Sequence, residues 1–276
     1  YNLFQAVMAS SYKIFKLMDF PISINDNPNA GTLPDIEGNV RFDNVSFRYT
    51  DDGEMVLKNI NLNVPAGSTV AFVGHTGAGK STMVKLIMRF YDATFGKVTV
   101  DGYDLTQVTQ NSLRKQIGVV PQDTNLFAGT VMDNIRYGRL DATDEEVIES
   151  AKAVGAHDFI IELEDGYETD IMEGGSILST GQRQLLAFSR ALLADPRVLI
   201  LDEATSNIDT QTERLIQSAL ERLLVGRTSF VIAHRLSTIT SADMIIVMDH
   251  GEIIEIGNHQ ELLELQGTYH RLFTMV

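Results

Sequence analysis

The sequence predicts an α/β fold: a parallel sheet faced by helices, joined to an antiparallel β region and a helical region. Three observations predict it. Short apolar runs at Ser68–Gly74 (STVAFVG), Arg197–Ser206 (RVLILDEATS) and Thr228–His234 (TSFVIAH) read as strands buried on both faces. Helical patterns near 181–194 and 210–224 separate the later runs, and buried strands alternating with helices imply a parallel sheet. Two earlier stretches, VRFDNVSFRY and VLKNINLNV, instead alternate apolar and polar residues, as half-buried antiparallel strands do.

The remaining elements follow in order. Residues 1–20 place Phe4, Val7, Met8, Ser11, Phe15 and Met18 near one helical face. Residues 21–38 carry three prolines, two glycines and three asparagines, the composition of a linker. A helix is predicted from Lys80 through Phe90. Residues from about 123 to 180 read mostly as helices and turns (TVMDNIRYG, DATDEEVIESAKAVGA, HDFIIEL), a helical insertion within a domain that runs over 39–276. The tail DMIIVMDHGEIIEIGNHQELLE reads as strand, turn, strand, helix.

The bulk composition narrows the function. At 276 residues, with 44% apolar and 21% charged content, the chain can bury a sizeable core. A formal net charge of −15 argues against broad binding to nucleic acid, although backbone N–H groups can still hold a small phosphate. The absence of cysteine rules out disulfides, thiolate metal sites and a Cys nucleophile. No run approaches the roughly 18–20 apolar residues of a membrane helix. The chain opens at Tyr1 and reads as a piece of a longer protein whose remainder would hold membrane spans.

GHTGAGKST, Gly74 to Thr82, fits the pattern G-x-x-x-x-G-K-[ST] between a buried strand and a helix. Gly74, Gly77 and Gly79 allow unusual backbone angles and close approach. The N–H groups of the whole run, His75, Thr76, Ala78 and Thr82 included, are candidates to cradle phosphates at a helix N-terminus. Lys80 is the candidate for the β/γ-phosphates, and the Ser81 hydroxyl for Mg²⁺.

A phosphate loop needs a carboxylate from a neighbouring strand, and Asp202, at the end of VLILD, is that Mg²⁺ candidate. Glu203 follows it and suits a general base for an attacking water. His234 ends TSFVIAH in the same way and is a candidate γ-phosphate contact, although a lone His after a strand is more often structural. Gln122, in VVPQDT, could complete the Mg²⁺ shell or position water. Tyr49 reads either as a half-buried strand residue or as a stacking platform for adenine. SILSTGQRQLLAFSRA poses a separate question. Ser, Thr and Gly at a helix start ordinarily cap it, but this helix opens on Ser179, Thr180, Gly181 and Gln182 with no carboxylate in the first turn, which suggests an uncapped positive end open to an anion.

Together these residues resemble the nucleotide-binding domain of ATP-binding cassette (ABC) transporters over residues from about 39 to 276. The motifs fall in the family's order: Tyr49 (A-loop), GHTGAGKST (Walker A), Gln122 (Q-loop), LSTGQRQ (signature), LILDE (Walker B), SNID (D-loop) and His234 (switch histidine). The resemblance implies a P-loop NTPase (RecA-like) core, ATP and Mg²⁺ as ligands, and an ATPase that powers export of a drug- or lipid-like substrate at the cytoplasmic face of the cell membrane. It also implies head-to-tail pairing with a second ABC nucleotide-binding domain. Ser179, Gly181, Gln182 and Asp209 would then serve the partner's ATP. ASSYKIFKLMDF resembles the cytoplasmic end of an exporter's last transmembrane helix, and MEGGSILSTGQ, with Glu173, resembles the exporter X-loop. The signature departs from Leu-Ser-Gly-Gly-Gln at Thr180, and the D-loop reads SNID where SALD is common. An altered signature beside intact Walker A, Asp202, Glu203 and His234 resembles one half of a heterodimeric exporter, so a non-identical partner is favoured. Two other readings compete: a soluble ABC ATPase of translation or DNA repair, and a nucleotide-gated dimerisation module with little turnover.

Overall fold

The computed structural model describes residues 2–19, 24–122, 124–172, 175, 177–202, 210–233 and 235–274. Helix α1 (Asn2–Met18) is followed, past an extended segment, by β1 (Val40–Phe47), β2 (Leu57–Val64), β3 (Thr69–Val73) and α2 (Lys80–Ile87). Next come β4 (Phe95–Val100), β5 (Tyr103–Asp104), α3 (Gln110–Arg114) and β6 (Ile117–Val120). The helical stretch comprises β7 (Gly129–Thr130), α4 (Val131–Arg136), α5 (Asp144–Ala153), α6 (His157–Ile161) and β8 (Asp170–Ile171). The chain continues through α7 (Thr180–Ala194), β9 (Val198–Asp202), α8 (Thr210–Leu224), β10 (Thr228–Ile232), α9 (Leu236–Ser241), β11 (Met244–Asp249), β12 (Glu252–Gly257), α10 (His259–Glu264) and α11 (Thr268–Thr274).

Among the described residues a six-stranded sheet runs β12-β11-β3-β10-β9-β6, parallel except for the β11–β12 hairpin. Alternation along its buried strands sorts their side chains into two cores. Val70, Phe72, Val198, Ile200, Phe230 and Ile232 join α2 and the antiparallel sheet β2-β1-β4-β5 on one side. Ala71, Leu199, Leu201, Val231, Ile245 and Val247 join α4–α8 on the other. Phe72 and Phe230 stack at 6.0 Å between ring centroids within the first core. Burial on both faces explains why these strands read as continuous apolar runs, whereas β2 alternates between buried and exposed from Ile60 to Val64.

The described part of the linker lies against the domain. Leu33 and Ile36 are buried, and their N–H groups donate to Ser112 Oγ and Gln116 Oε1, both at 2.9 Å. The Asp101 carboxylate accepts from the N–H groups of Glu37 and Asn39 at 2.6 and 2.7 Å. Helix α2 stops at Ile87, short of the expected Phe90, because Arg89 turns left-handed (φ 50°). That turn buries the Arg89 guanidinium, which donates to Val108 O at 2.7 Å and pairs with Asp92 and Asp26. Most apolar residues of α1 are exposed, Phe4, Met8, Phe15 and Met18 among them. No described helix is long and apolar enough to cross a membrane.

Candidate functional site

Strand β3 runs into the loop 74–79, and α2 starts directly after it. Gly74, Gly77 and Gly79 take φ values of 150°, 85° and 109°. Gly79 is the N-cap of α2 and brings no side chain to it, so no capping side chain competes for the first N–H groups of the helix. A side chain at that φ would be strained. Lys80 Nζ folds back and donates to the carbonyl oxygens of Gly74 (2.6 Å) and His75 (3.0 Å). Burial holds the Lys80 ammonium below its ordinary pKa, and the Asp202 charge pulls in the opposite direction.

A cleft of about 450 Å³ opens over this loop, lined by Tyr49, Val56, Thr76, Gly77, Gly79, Lys80, Ser81, Thr82, Gln122, Asp202 and Ile232. Asp202 ends β9 level with Ile232 of β10, and Gln122 lies just past β6 on the far side of β9. The expectation that the carboxylate strand neighbours the phosphate-loop strand is corrected by the sheet order: β10 lies between β3 and β9. The strand leading to His234 does neighbour β9, as expected. Ala78 is buried beneath the loop. Gly74 and His75 line a second, mostly apolar cavity of about 220 Å³ against α9 and α11, and Lys80 lines both it and the cleft.

Tyr49 lies just beyond β1 and is 43% exposed, so it is a rim residue and not a half-buried strand residue. Its hydroxyl hydrogen-bonds Thr82 Oγ1 at 3.0 Å. Phe47 and Tyr91 meet its ring nearly at right angles, at 4.9 and 5.1 Å between centroids. Lys85 Nζ sits over the ring, 5.4 Å from its centroid. Sequence reasoning missed Lys85. The signal was its spacing, three residues past Thr82 and on the same helical face.

Ser179, Gly181 and Gln182 do not line this cleft. They form the N-terminus of α7, and the expectation that this end is uncapped is corrected. Ser179 Oγ accepts from the N–H of Gln182 (3.2 Å) and Gln182 Oε1 accepts from the N–H of Ser179 (2.9 Å), a reciprocal capping box. Thr180 continues as regular helix, and its Oγ1 accepts from Arg183 Nη2 at 3.1 Å. A Cβ on Gly181 would overlap the Thr212 side chain of α8, so close helix packing requires glycine there. Glu203, Asp209, His234 and Glu173 lie outside the described residues.

The cleft is suited to a triphosphate with its metal. The Ser81 hydroxyl, the Gln122 amide and the Asp202 carboxylate offer hard oxygen donors of the kind Mg²⁺ takes. Among the described residues no cluster of three or more His, Asp or Glu could hold a metal unaided.

Fold and cleft together define a P-loop nucleotide-binding α/β domain. The family model described as "ABC transporter" matches residues 57–206, more than half of the chain, and the chain belongs to that family. It is 52% identical to the uncharacterized ABC transporter ATP-binding protein YknV of Bacillus subtilis, over 98% of this chain and 44% of that protein. It is 49% identical to an ATP-dependent lipid A-core flippase of Syntrophus aciditrophicus, over 98% of this chain and 45% of that one. A bacterial Atm1-family ABC exporter solved with ATP bound superposes with a TM-score of 0.89 at 42% identity, over 98% of this chain and 47% of that one. The chain thus spans about half the length of these relatives.

Proposed function

We propose that this chain binds and hydrolyses ATP to drive a fused membrane domain that exports a drug- or lipid-like substrate, working at the cytoplasmic face of the membrane. One observation carries the proposal. Tyr49, Lys80, Ser81, Gln122 and Asp202 converge on one cleft, while the N-terminus of α7 stands outside it. A site split in this way is completed by a second cassette. Tyr49 stacks on the base, the 74–82 loop and Lys80 hold the phosphates, and Ser81, Gln122 and Asp202 hold Mg²⁺. Glu203 follows Asp202 in sequence and takes the proton of the attacking water; His234 contacts the γ-phosphate. Ser179, Gly181, Gln182 and Asp209 serve the partner's nucleotide.

The preference for a non-identical partner rests on Thr180. Its hydroxyl is bound by Arg183, and its backbone is ordinary helix. That observation favours a second copy of this chain as the alternative partner. An apolar groove between Phe127, Tyr137 and Leu140, backed by Arg190 over both rings, offers a seat for the membrane domain.

The test is Glu203→Gln in the full-length protein, followed by light scattering and phosphate release. Hydrolysis should fall about 100-fold or more, the scale of losing a general base; a dimer formed with MgATP by this chain alone would favour a second copy as partner, and a chain that binds MgATP without pairing would favour a non-identical one. Unchanged turnover would overturn the hydrolytic role and leave a nucleotide-gated dimerisation module.

A further inference from the structure

Two contacts on Tyr49 come from one helix. Thr82 holds the hydroxyl at 3.0 Å, and Lys85, one turn further along α2, places its ammonium 5.4 Å above the ring. The N-terminus of the same helix forms the phosphate cradle. An eight-residue helix is a rigid spacer, so these contacts fix the ring relative to the cradle. Lys85 is not among the residues lining the cleft, whereas Tyr49 is. The cation therefore approaches the ring from outside the cleft. Phe47 and Tyr91 brace the ring edge-on and limit its tilt.

We infer that Lys85 is a positioning residue for nucleotide selectivity: its ammonium clamps one face of Tyr49 and presents the other to the base of a nucleoside triphosphate. The inference rests on the nucleotide reading of the cleft. The clamp acts on the base half of the ligand alone. Its loss frees the ring to rotate about its side-chain torsions, and stacking then has to order it anew. The phosphate half, held by backbone N–H groups and Lys80, is untouched. An arginine can replace the lysine, because a guanidinium also stacks on an aromatic face.

The experiment is calorimetry on the full-length protein with MgATP and, separately, magnesium tripolyphosphate, which lacks base and sugar. Lys85→Met should weaken ATP binding about 3–10-fold, the scale of one partly exposed cation–π contact. Tripolyphosphate affinity and the unfolding midpoint should stay unchanged, and Lys85→Arg should restore ATP binding. Equal weakening of both ligands would overturn the inference, since Lys85 would then act on the phosphates. So would unchanged ATP binding, or failure of Lys85→Arg to rescue. Tyr49→Ala separates this from failure of the underlying reading. If that variant loses no preference for ATP over tripolyphosphate, base stacking itself is wrong; if neither ligand binds the unaltered protein, the nucleotide reading is wrong.

Discussion

Helices α2 and α7 both present an N-terminus at a glycine-containing, polar turn, and the chain treats the two ends in opposite ways. The end of α2 begins after a left-handed glycine with no side-chain cap, and the cation beside it, Lys80, donates to the loop carbonyls of Gly74 and His75. The end of α7 is closed by a reciprocal capping box, and Arg183 folds over it onto Leu178 O and Thr180 Oγ1. Both carry the same backbone dipole. The difference lies in who satisfies it. An end inside the chain's own cleft can be left open for a ligand, because Lys80 and the glycine turn are committed to it. An end proposed to meet a ligand only in a partner's grasp stands on the open surface otherwise, and its own side chains cap it.

The sharpest way to break this comparison is Lys80→Met. Nucleotide affinity should fall roughly 10–100-fold by calorimetry, the scale of charged hydrogen bonds lost. Stability of the nucleotide-free protein should change by less than about 1 kcal/mol, because the lost bonds are offset by relief of a buried charge. The pH dependence carries the sign. The folded-state pKa lies below the ordinary 10.5, so between the two values the unfolded chain binds more protons and stability rises with pH. Burial of the charged form is the cost that lowers the folded-state value. Urea unfolding of the unaltered protein should therefore gain stability on the alkaline approach to 10.5, and the Met variant should lack that component.

A smaller effect is expected at the other end. Gly181→Ala places a methyl against Thr212, and overpacking of this kind costs about 1–3 kcal/mol. Thr180→Ala, one residue earlier and exposed, should cost well under that. Urea unfolding of the pair measures both. If Gly181→Ala were neutral, the glycine would be reserved for ligand approach and not for helix packing.

Much of this contrast was legible in the sequence, and the part that was not has a physical cause. The strands of the parallel sheet were readable because burial on both faces leaves only apolar residues. The P-loop was readable because its glycines are fixed by backbone geometry. The strand order was not, since nothing local in VLILD or TSFVI says that β10 inserts between β3 and β9. The packing of the linker was not legible in its Pro and Gly content, because its anchors, Ser112, Gln116 and Asp101, lie far away in sequence. The cap on α7 was within reach: Ser179 and Gln182 stand at capping-box spacing, and a glutamine amide can close the box as a carboxylate does. Lys85 needed the position of Tyr49, which only the turn after β1 supplies.

The smallest effect tests the cap itself. Ser179→Ala removes the acceptor for the Gln182 N–H and leaves the Gln182 side chain without its reciprocal partner. It should cost about 1 kcal/mol, and Ser179→Gly only a few tenths, because glycine leaves the helix end open to water. Neither should alter nucleotide affinity in the chain's own cleft, which Ser179 does not line. Both should weaken the ATP-dependent dimer of the Glu203→Gln background if α7 serves the partner's phosphate. A drop in own-cleft affinity on Ser179→Ala would erase the distinction between the two helix ends. A stability loss with dimerisation intact would make Ser179 a cap and nothing more.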